Sequence, residues 1–354
     1  MSVGSTLMII GNGFDLQCGL KSSYADFFEW LRQDDARAND NLWAVHFLSS
    51  PPKGSGWIDV EGSLQKLLEA PRHLSLSPMG FWQRDALDYC RDRAWRSLTT
   101  IKNSETIYII QRIASGMSKV FNPYWFLDEL IAFERQFSEY TKAEVSSNEG
   151  YFSNAAKLMD MMVDDEDISI INFNCTNPFS FDPPNKLSAM IKSVTNVHGT
   201  CEEDNIIFGV DATEKKLAPD AHIFTKMHRK MLQHSSDSAL PKDVDKIKFY
   251  GHSLGKADYS YFQSIFDHYN LYGGDFAYDS PKVMLQFYFT VYDERKRAEI
   301  MRDATDGVYK LITAYGDTLD NKDKGKNLLH KLLLEGRVKI KILPDINSCN
   351  AVTL

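Results

Sequence analysis

The stretch MIIGNGFDLQCGL, Met8 to Leu20, decides how the chain is read. Three apolar residues run into Gly11-Asn12-Gly13, and Phe14, Asp15 and Leu16 then open a helix-like pattern. A strand that stops at Gly-x-Gly and turns into a helix brings backbone N–H groups and a helix N-terminus together, a combination suited to a phosphate. The third glycine of the dinucleotide fingerprint is missing, because Leu16 stands three residues beyond Gly13. The turn is either a nucleotide pocket of another kind or a tight structural turn.

Working outward, further short apolar runs bounded by Gly, Pro or charge read as buried strands. They are Leu7–Ile10, Ile168–Phe173, Val194–His198, Ile206–Gly209, Lys246–Tyr250, Val283–Thr290 and Val338–Leu343. Most lack polar alternation, as expected of strands covered on both faces in a parallel sheet flanked by helices. Between the first two lies a long stretch with helical signals. Tyr24, Phe27, Phe28 and Leu31 fall at i, i+3, i+4, i+7, and Phe81–Thr99 and Trp125–Thr141 repeat the period. The fold class is therefore α/β: a Rossmann-like, mostly parallel sheet flanked by helices, with a helical insertion after the first strand–helix unit. Residues 1–50 and 166–354 are assigned to the core and 51–165 to the insertion, with Pro51–Gly56 as its clearest linker. The Lys-, Asp-, Ser- and His-rich stretch 211–245 predicts a second mobile region.

With 354 residues, 43% of them apolar and 12% aromatic, the chain can bury a sizeable core. Its formal charge of -8 argues against passive wrapping of nucleic acid and against adhesion to membrane surfaces. Five scattered cysteines with no C-x-x-C pair support neither a zinc ribbon nor a disulfide scaffold, and no metal is expected. His222, His228 and His234 are spaced by six and share no helix face, so they make a poor metal site. No apolar run approaches the roughly 18 residues of a spanning helix, and the first strand begins too early for a secretion signal. The expectation is a soluble cytoplasmic protein.

Four segments join an apolar strand to a polar or glycine-rich end, where open α/β sheets bind ligands. The first holds Gly11, Asn12, Gly13 and Asp15. In the second, Asn172, Asn174 and Thr176 alternate with Phe173 and Cys175, so that the three polar groups share one side; Asn suits ribose hydroxyls or a water, and equally a strand-end cap. In the third, Val197-His198-Gly199-Thr200, the histidine can act as a base near neutral pH or be a satisfied structural residue. The fourth is Tyr250-Gly251-His252-Ser253-Leu254 with Asp258. Here Ser253 can cap the following helix or bond a phosphate, and Asp258 suits the helix dipole. Asp59 and Glu61 read as a solvated helix start.

In this order, IIGNGFDLQCGLKSSYADF, WIDVE, IINFNCT, VHGT, IIFGVD and FYGHSLGKADYSYF resemble the bacteriophage abortive infection AbiH family, from about residue 7 to about 266. That resemblance implies an antiphage role in which the infected cell is arrested. A more distant similarity links the same segments to sirtuin-like NAD-consuming domains. It implies that Gly11, Gly13 and Asp15 line the cofactor with Gly251 and Ser253, and that Asn174 and His198 take the catalytic positions. The chain departs from that pattern with Gly-Asn-Gly-Phe-Asp in the first loop, with Thr176 where Asp is preferred, and without a zinc-binding cysteine module. The last departure leaves simple NAD cleavage rather than deacylation.

The expectation is an antiphage effector that binds and cleaves NAD at the nicotinamide–ribose bond, NAD being its substrate or ligand. Its partners would include a phage-derived trigger or partner protein, and the chain is a candidate homo-oligomer. Two alternatives stand beside it. One is a nucleotide-binding sensor without catalysis. The other is a toxin acting through protein contacts with the aromatic insertion (Trp57, Trp82, Trp95, Tyr124, Trp125) as its working surface.

Overall fold

The computed structural model describes residues 5–39, 41–49, 60–62, 64, 123–164, 166–179, 190–210, 221–233, 239–255, 258–273 and 283–346. The expected linker Pro51–Gly56, the helix expected over Phe81–Thr99, Trp57, Asp59, Trp82 and Trp95 lie outside these residues, as does much of the expected insertion. In chain order the strands are β1 (Ser5–Ile10), β2 (Asp167–Asn172), β3 (Met190–Asn196), β4 (Lys246–Tyr250), β5 (Met284–Thr290) and β6 (Val338–Leu343). The helices are α1 (Asn12–Gln17), α2 (Tyr24–Arg32), α3 (Asp35–Asn39), α4 (Leu42–Ser49), α5 (Pro123–Ser147), α6 (Tyr151–Asp160), α7 (Lys226–Leu232), α8 (Tyr259–His268), α9 (Arg297–Thr318), α10 (Lys322–Lys326) and α11 (Leu328–Leu334).

The chain divides into two compact units, one comprising Met1–Ser22, Lys142–Thr200 and Ser236–Leu354, the other Ser23–Thr141 and Cys201–Ser235. The first unit holds the sheet. Its six strands run in the order β3-β2-β1-β4-β5-β6, and every neighbouring pair is parallel. This is the doubly wound order, whose switch point falls between β1 and β4. Successive residues point to opposite faces, so β1 feeds two cores at once. Leu7 and Ile9 pack with Phe262 and Phe266 of α8, Leu311 and Ile312 of α9 and Leu328 of α11. Met8 and Ile10 pack with Phe14 of α1 and Tyr151, Leu158 and Met159 of α6. The outermost strands β3 and β6 are more exposed. Lys339 and Lys341 on β6 suit an edge that must not pair with another chain.

The second unit is mainly helical. Its helix α2 forms where the apolar spacing predicts, with the Ser23 side chain accepting from the Asp26 N–H as N-cap. Phe27, Phe133, Phe137 and Phe208 form its aromatic core, with Phe27 and Phe137 rings 5.0 Å apart, edge to face. Two expectations are corrected in this unit. Ile206–Gly209 is not a strand; it runs through the aromatic core as irregular chain, its Phe208 N–H donating to Glu134 at 2.7 Å, and only Val210 makes an isolated bridge, to Thr225. The stretch 211–245 contains the ordered helix α7, capped by Thr225. Two of its cations are buried in ion pairs, Lys226 with Glu61 at 2.9 Å and Arg229 with both oxygens of Glu134. Glu61 is thus ion-paired rather than a solvated helix start. Tyr124 is exposed.

At the amino end of the sheet a charge network is buried. Glu166 accepts from Lys248, from Lys246 at 2.9 Å and from the Thr6 hydroxyl at 2.8 Å, and Lys248 also donates to the Met162 carbonyl at 2.8 Å. Burial alone would raise the Glu166 carboxyl, but the hydrogen bonds from Lys248, Lys246 and Thr6 outweigh it and hold the group below its ordinary 4.5. Glu166 therefore contributes stability that is fully present above that ordinary value and is lost as pH falls through the lower folded value. Replacing Glu166 with Gln leaves Lys248 buried without its counter-charge, and we expect a loss of about 3–5 kcal/mol in urea unfolding. The same variant should show a flatter fall of stability on acidification below pH 4.5 than the wild-type protein.

Candidate functional site

Parallel register places the last residues of four strands in one row, with Tyr288 of β5 beside them. Asn196 pairs with Asn172, Asn172 with Ile10, Ile10 with Tyr250, and Tyr250 with Tyr288. The loops that follow β1 to β4 therefore leave the sheet side by side, although they are far apart in sequence.

The two glycine turns interlock at the switch point. The Gly11 N–H donates to the Tyr250 carbonyl at 3.0 Å and the Gly13 N–H to the Gly251 carbonyl at 2.8 Å. A Cβ on Gly13 would lie 2.7 Å from the Gly251 Cα, and one on Gly251 would lie 2.3 Å from the Phe14 nitrogen. Gly251 also has φ +71, a left-handed value that side chains disfavour. The Phe14 N–H donates to the Gly11 carbonyl at 2.8 Å. These three donors are spent within the protein, so the glycines serve backbone-to-backbone packing rather than an open phosphate cradle. Asn12 accepts from the Ser22 hydroxyl at 2.6 Å.

Asp15 is fully buried and accepts from the Tyr151 phenol at 2.8 Å and the Thr176 hydroxyl at 2.6 Å. It ties α1 to α6 and to the loop after β2. Burial, reinforced by the Asp15 charge, pushes the Tyr151 phenol and the Cys18 thiol well above their ordinary values. Cys18 is thus no nucleophile at neutral pH. The loop after β2 is locked by amides. Asn172 donates to the Thr176 carbonyl at 2.6 Å and accepts from the Asn174 N–H at 2.9 Å. Asn196 donates to the Asn174 and Thr176 carbonyls at 3.0 and 2.9 Å. Asn196 and Tyr151 escaped the sequence reading; Asn196 stands two residues before His198 at a strand end, the same polar alternation that marked Asn174.

Held by this lock, Asn174 is 4% exposed, and neither atom of its side-chain amide has a hydrogen-bond partner among the described residues. A buried amide without partners costs about 1–3 kcal/mol, and ligand sites are one place where that cost is kept.

His198 and His252 share one carboxylate. Asp258 Oδ1 lies 3.1 Å from His198 Nε2, and Oδ2 lies 3.3 Å from His252 Nε2. The His252 Nδ1 accepts from the Leu254 N–H at 2.9 Å, so in the neutral ring the proton sits on Nε2 and points at Asp258. The same reasoning puts a proton on His198 Nε2, because a carboxylate only accepts, and leaves the neutral ring's lone pair on Nδ1. Phe173 meets both imidazoles edge to face, with ring centroids 5.6 and 4.6 Å away. Leu254, whose N–H fixes His252, has φ +55, a strained value for a branched side chain. Ser253 is exposed and does not cap the next helix. The N-cap of α8 is Asp258, and its carboxylate caps nothing because the histidines hold it.

A cavity of about 510 Å3 opens on the β4–β5–β6 side of the switch point. Its lining includes Gly13, Gly251, His252 and Ser253 of the interlocked turns, together with Tyr250 and Tyr288. His198 and Asn174 are not among its lining residues; His252 joins the two places, lining the cavity and sharing Asp258 with His198.

A family model described as bacteriophage abortive infection AbiH matches residues 7–273, which include every one of the candidate residues. The chain belongs to the AbiH family. Membership carries a role in phage abortive infection. No curated protein matched the chain. In this AbiH protein no helix among the described residues is long and apolar enough to cross a membrane. The family match ends before β5, so the far wall of the cavity lies beyond it.

The interlocked turns give a sharp expectation. Gly251→Ala adds a clash to an unfavourable φ and should cost about 2–5 kcal/mol. Gly336→Ala, at φ +67 with nothing within 4 Å of the added methyl, should cost only about 1 kcal/mol. Urea unfolding of the two variants measures the difference.

Proposed function

We propose that this AbiH protein arrests infected cells by binding NAD and hydrolysing its nicotinamide–ribose bond. The observation that carries the reading is the sharing of Asp258 by two imidazoles, one on the wall of a switch-point cavity and the other at the end of β3. The cavity volume falls within the roughly 300–1,000 Å3 of small-molecule sites. In the reaction, NAD and water give nicotinamide, ADP-ribose and a proton. The bond between the ribose C1′ and the pyridinium nitrogen breaks, its electron pair leaves with neutral nicotinamide, and an oxocarbenium-like carbon remains for water to attack. His198 takes the proton from that water while Asp258 holds its ring and balances the charge it acquires. The unpaired Asn174 amide supplies a donor and an acceptor for a ribose hydroxyl or the water. Asp15, Asn172, Thr176 and Asn196 brace the loops that carry these groups.

Chromatographic assay of nicotinamide release from NAD by the purified protein tests the reading. His198→Ala and Asp258→Asn should each lower the rate by roughly 10²–10⁴. Asn174→Ala should also abolish release while leaving the melting temperature unchanged or raised, since the wild-type amide makes no hydrogen bond that the variant could lose. A wild-type protein that releases no nicotinamide, even with phage lysate present, would remove the enzymatic reading and leave the sensor.

A further inference from the structure

The cavity and the imidazole centre differ in chemistry, and the difference orients the ligand. The cavity is lined by the aromatic residues Tyr250, Tyr288, Phe289 and Tyr292 and by two carboxylates, Asp303 and Asp345. No lysine or arginine is among the described lining residues. Asp345 is engaged by the Gln17 amide at 2.7 Å. Asp303, on α9, is exposed at the cavity wall and has no ion-pair partner among the described residues. Flat aromatic walls suit a base, and a carboxylate suits the two donor hydroxyls of a ribose. The nearest described cation, Lys341, is held at the Tyr288 hydroxyl at 3.0 Å and over its ring, so a phosphate beside Asp303 would meet negative charge first.

In the common dinucleotide fold the acid that reads the adenosine ribose stands about 20 residues beyond the glycine turn. Here β2, the strand next to β1 on that side, ends instead in Asn172, whose amide is spent on its own loop. The acids are found on the opposite half of the crevice, on α9 and after β6. We propose that the adenosine end of the dinucleotide lies in the β4–β5–β6 cavity with its ribose hydroxyls free, and that Asp303 is the specificity residue that turns away a 2′-phosphorylated dinucleotide. This rests on the dinucleotide reading above and adds to it which dinucleotide is accepted and which way round it lies.

The test is calorimetric titration of the intact protein with ADP-ribose and its 2′-phosphorylated counterpart, which lack the scissile bond, and with NAD. Wild type should bind ADP-ribose at least tenfold more tightly than the 2′-phosphate, with the gap narrowing at high salt as surface charge is screened. Asp303→Lys, a change on an exposed helix position, should shrink that ratio at least tenfold, mainly by tightening the 2′-phosphate, and Asp303→Ser should shrink it less. The inference is overturned if wild type binds both ligands within twofold, or if Asp303→Lys leaves the ratio unchanged while ADP-ribose still binds. Absence of binding by ADP-ribose and NAD alike is a different result, which removes the dinucleotide reading itself and this inference with it.

Discussion

The arrangement of the sheet unit's carboxyl edge depends on two backbone turns meeting with no side chain between them. The turn after β1 and the turn after β4 exchange a hydrogen bond from Gly13 to Gly251 at van der Waals limits that exclude a methyl on either residue. Because these strands flank the switch point, closing that gap sets where His252 leaves the sheet. The Cα and Cβ of His252 in turn fill the space that a side chain on Gly11 would need, 2.7 and 2.9 Å from the would-be Cβ. The glycines therefore act on the site indirectly. They bring an imidazole-bearing loop against the first turn, and the imidazole then reaches Asp258 and, through it, His198.

Much of the sheet was legible because parallel strands buried on both faces leave continuous apolar runs, and β1, β2, β4, β5 and β6 fall where such runs stand. The same signal misled at Ile206–Gly209. An apolar run records burial, and there burial comes from the aromatic rings around Phe208 rather than from strand neighbours. Polarity misled in the opposite sense over Lys226–Leu232, which composition placed within a mobile region and which forms a helix. Lys226 and Arg229 are buried because Glu61 and Glu134, distant in sequence, neutralise them.

The site was legible by type and not by pairing. Asn174, His198 and the Gly251–Ser253 turn announced themselves as polar groups at strand ends, and the row of strand ends follows from parallel register. Asp258 was visible only as a charge at a helix start, which accounts for its position and not for its partners. Its carboxylate bonds to residues 60 and 6 positions earlier, and no local pattern encodes the first of those. Asp15 looked like a cofactor ligand for the converse reason. Its place beside the glycine turn was plain, but the Tyr151 and Thr176 hydroxyls that occupy it lie 136 and 161 residues away.

The two ends of the sheet treat buried polar groups differently. At the amino end Glu166 collects three donors and Lys248 two acceptors, so buried charge is satisfied as stability requires. At the carboxyl end the Asn174 amide is buried with no partner among the described residues, a leucine sits at φ +55, and one carboxylate is divided between two imidazoles. Unpaired amides and positive-φ leucines each cost on the order of 1–3 kcal/mol. A chain shaped for stability alone would have removed them, since alanine at 174 gives up no hydrogen bond and glycine at 254 relieves the strain. Both stand at the edge where parallel sheets bind ligands, although other buried side-chain atoms without a partner among the described residues occur in the helical unit, at Gln136 and Gln233, and positive φ values at Asp204 and Asn270. What sets this edge apart is that the Asn174 amide and the strained Leu254 occur beside a carboxylate divided between two imidazoles, and that combination makes it the candidate site.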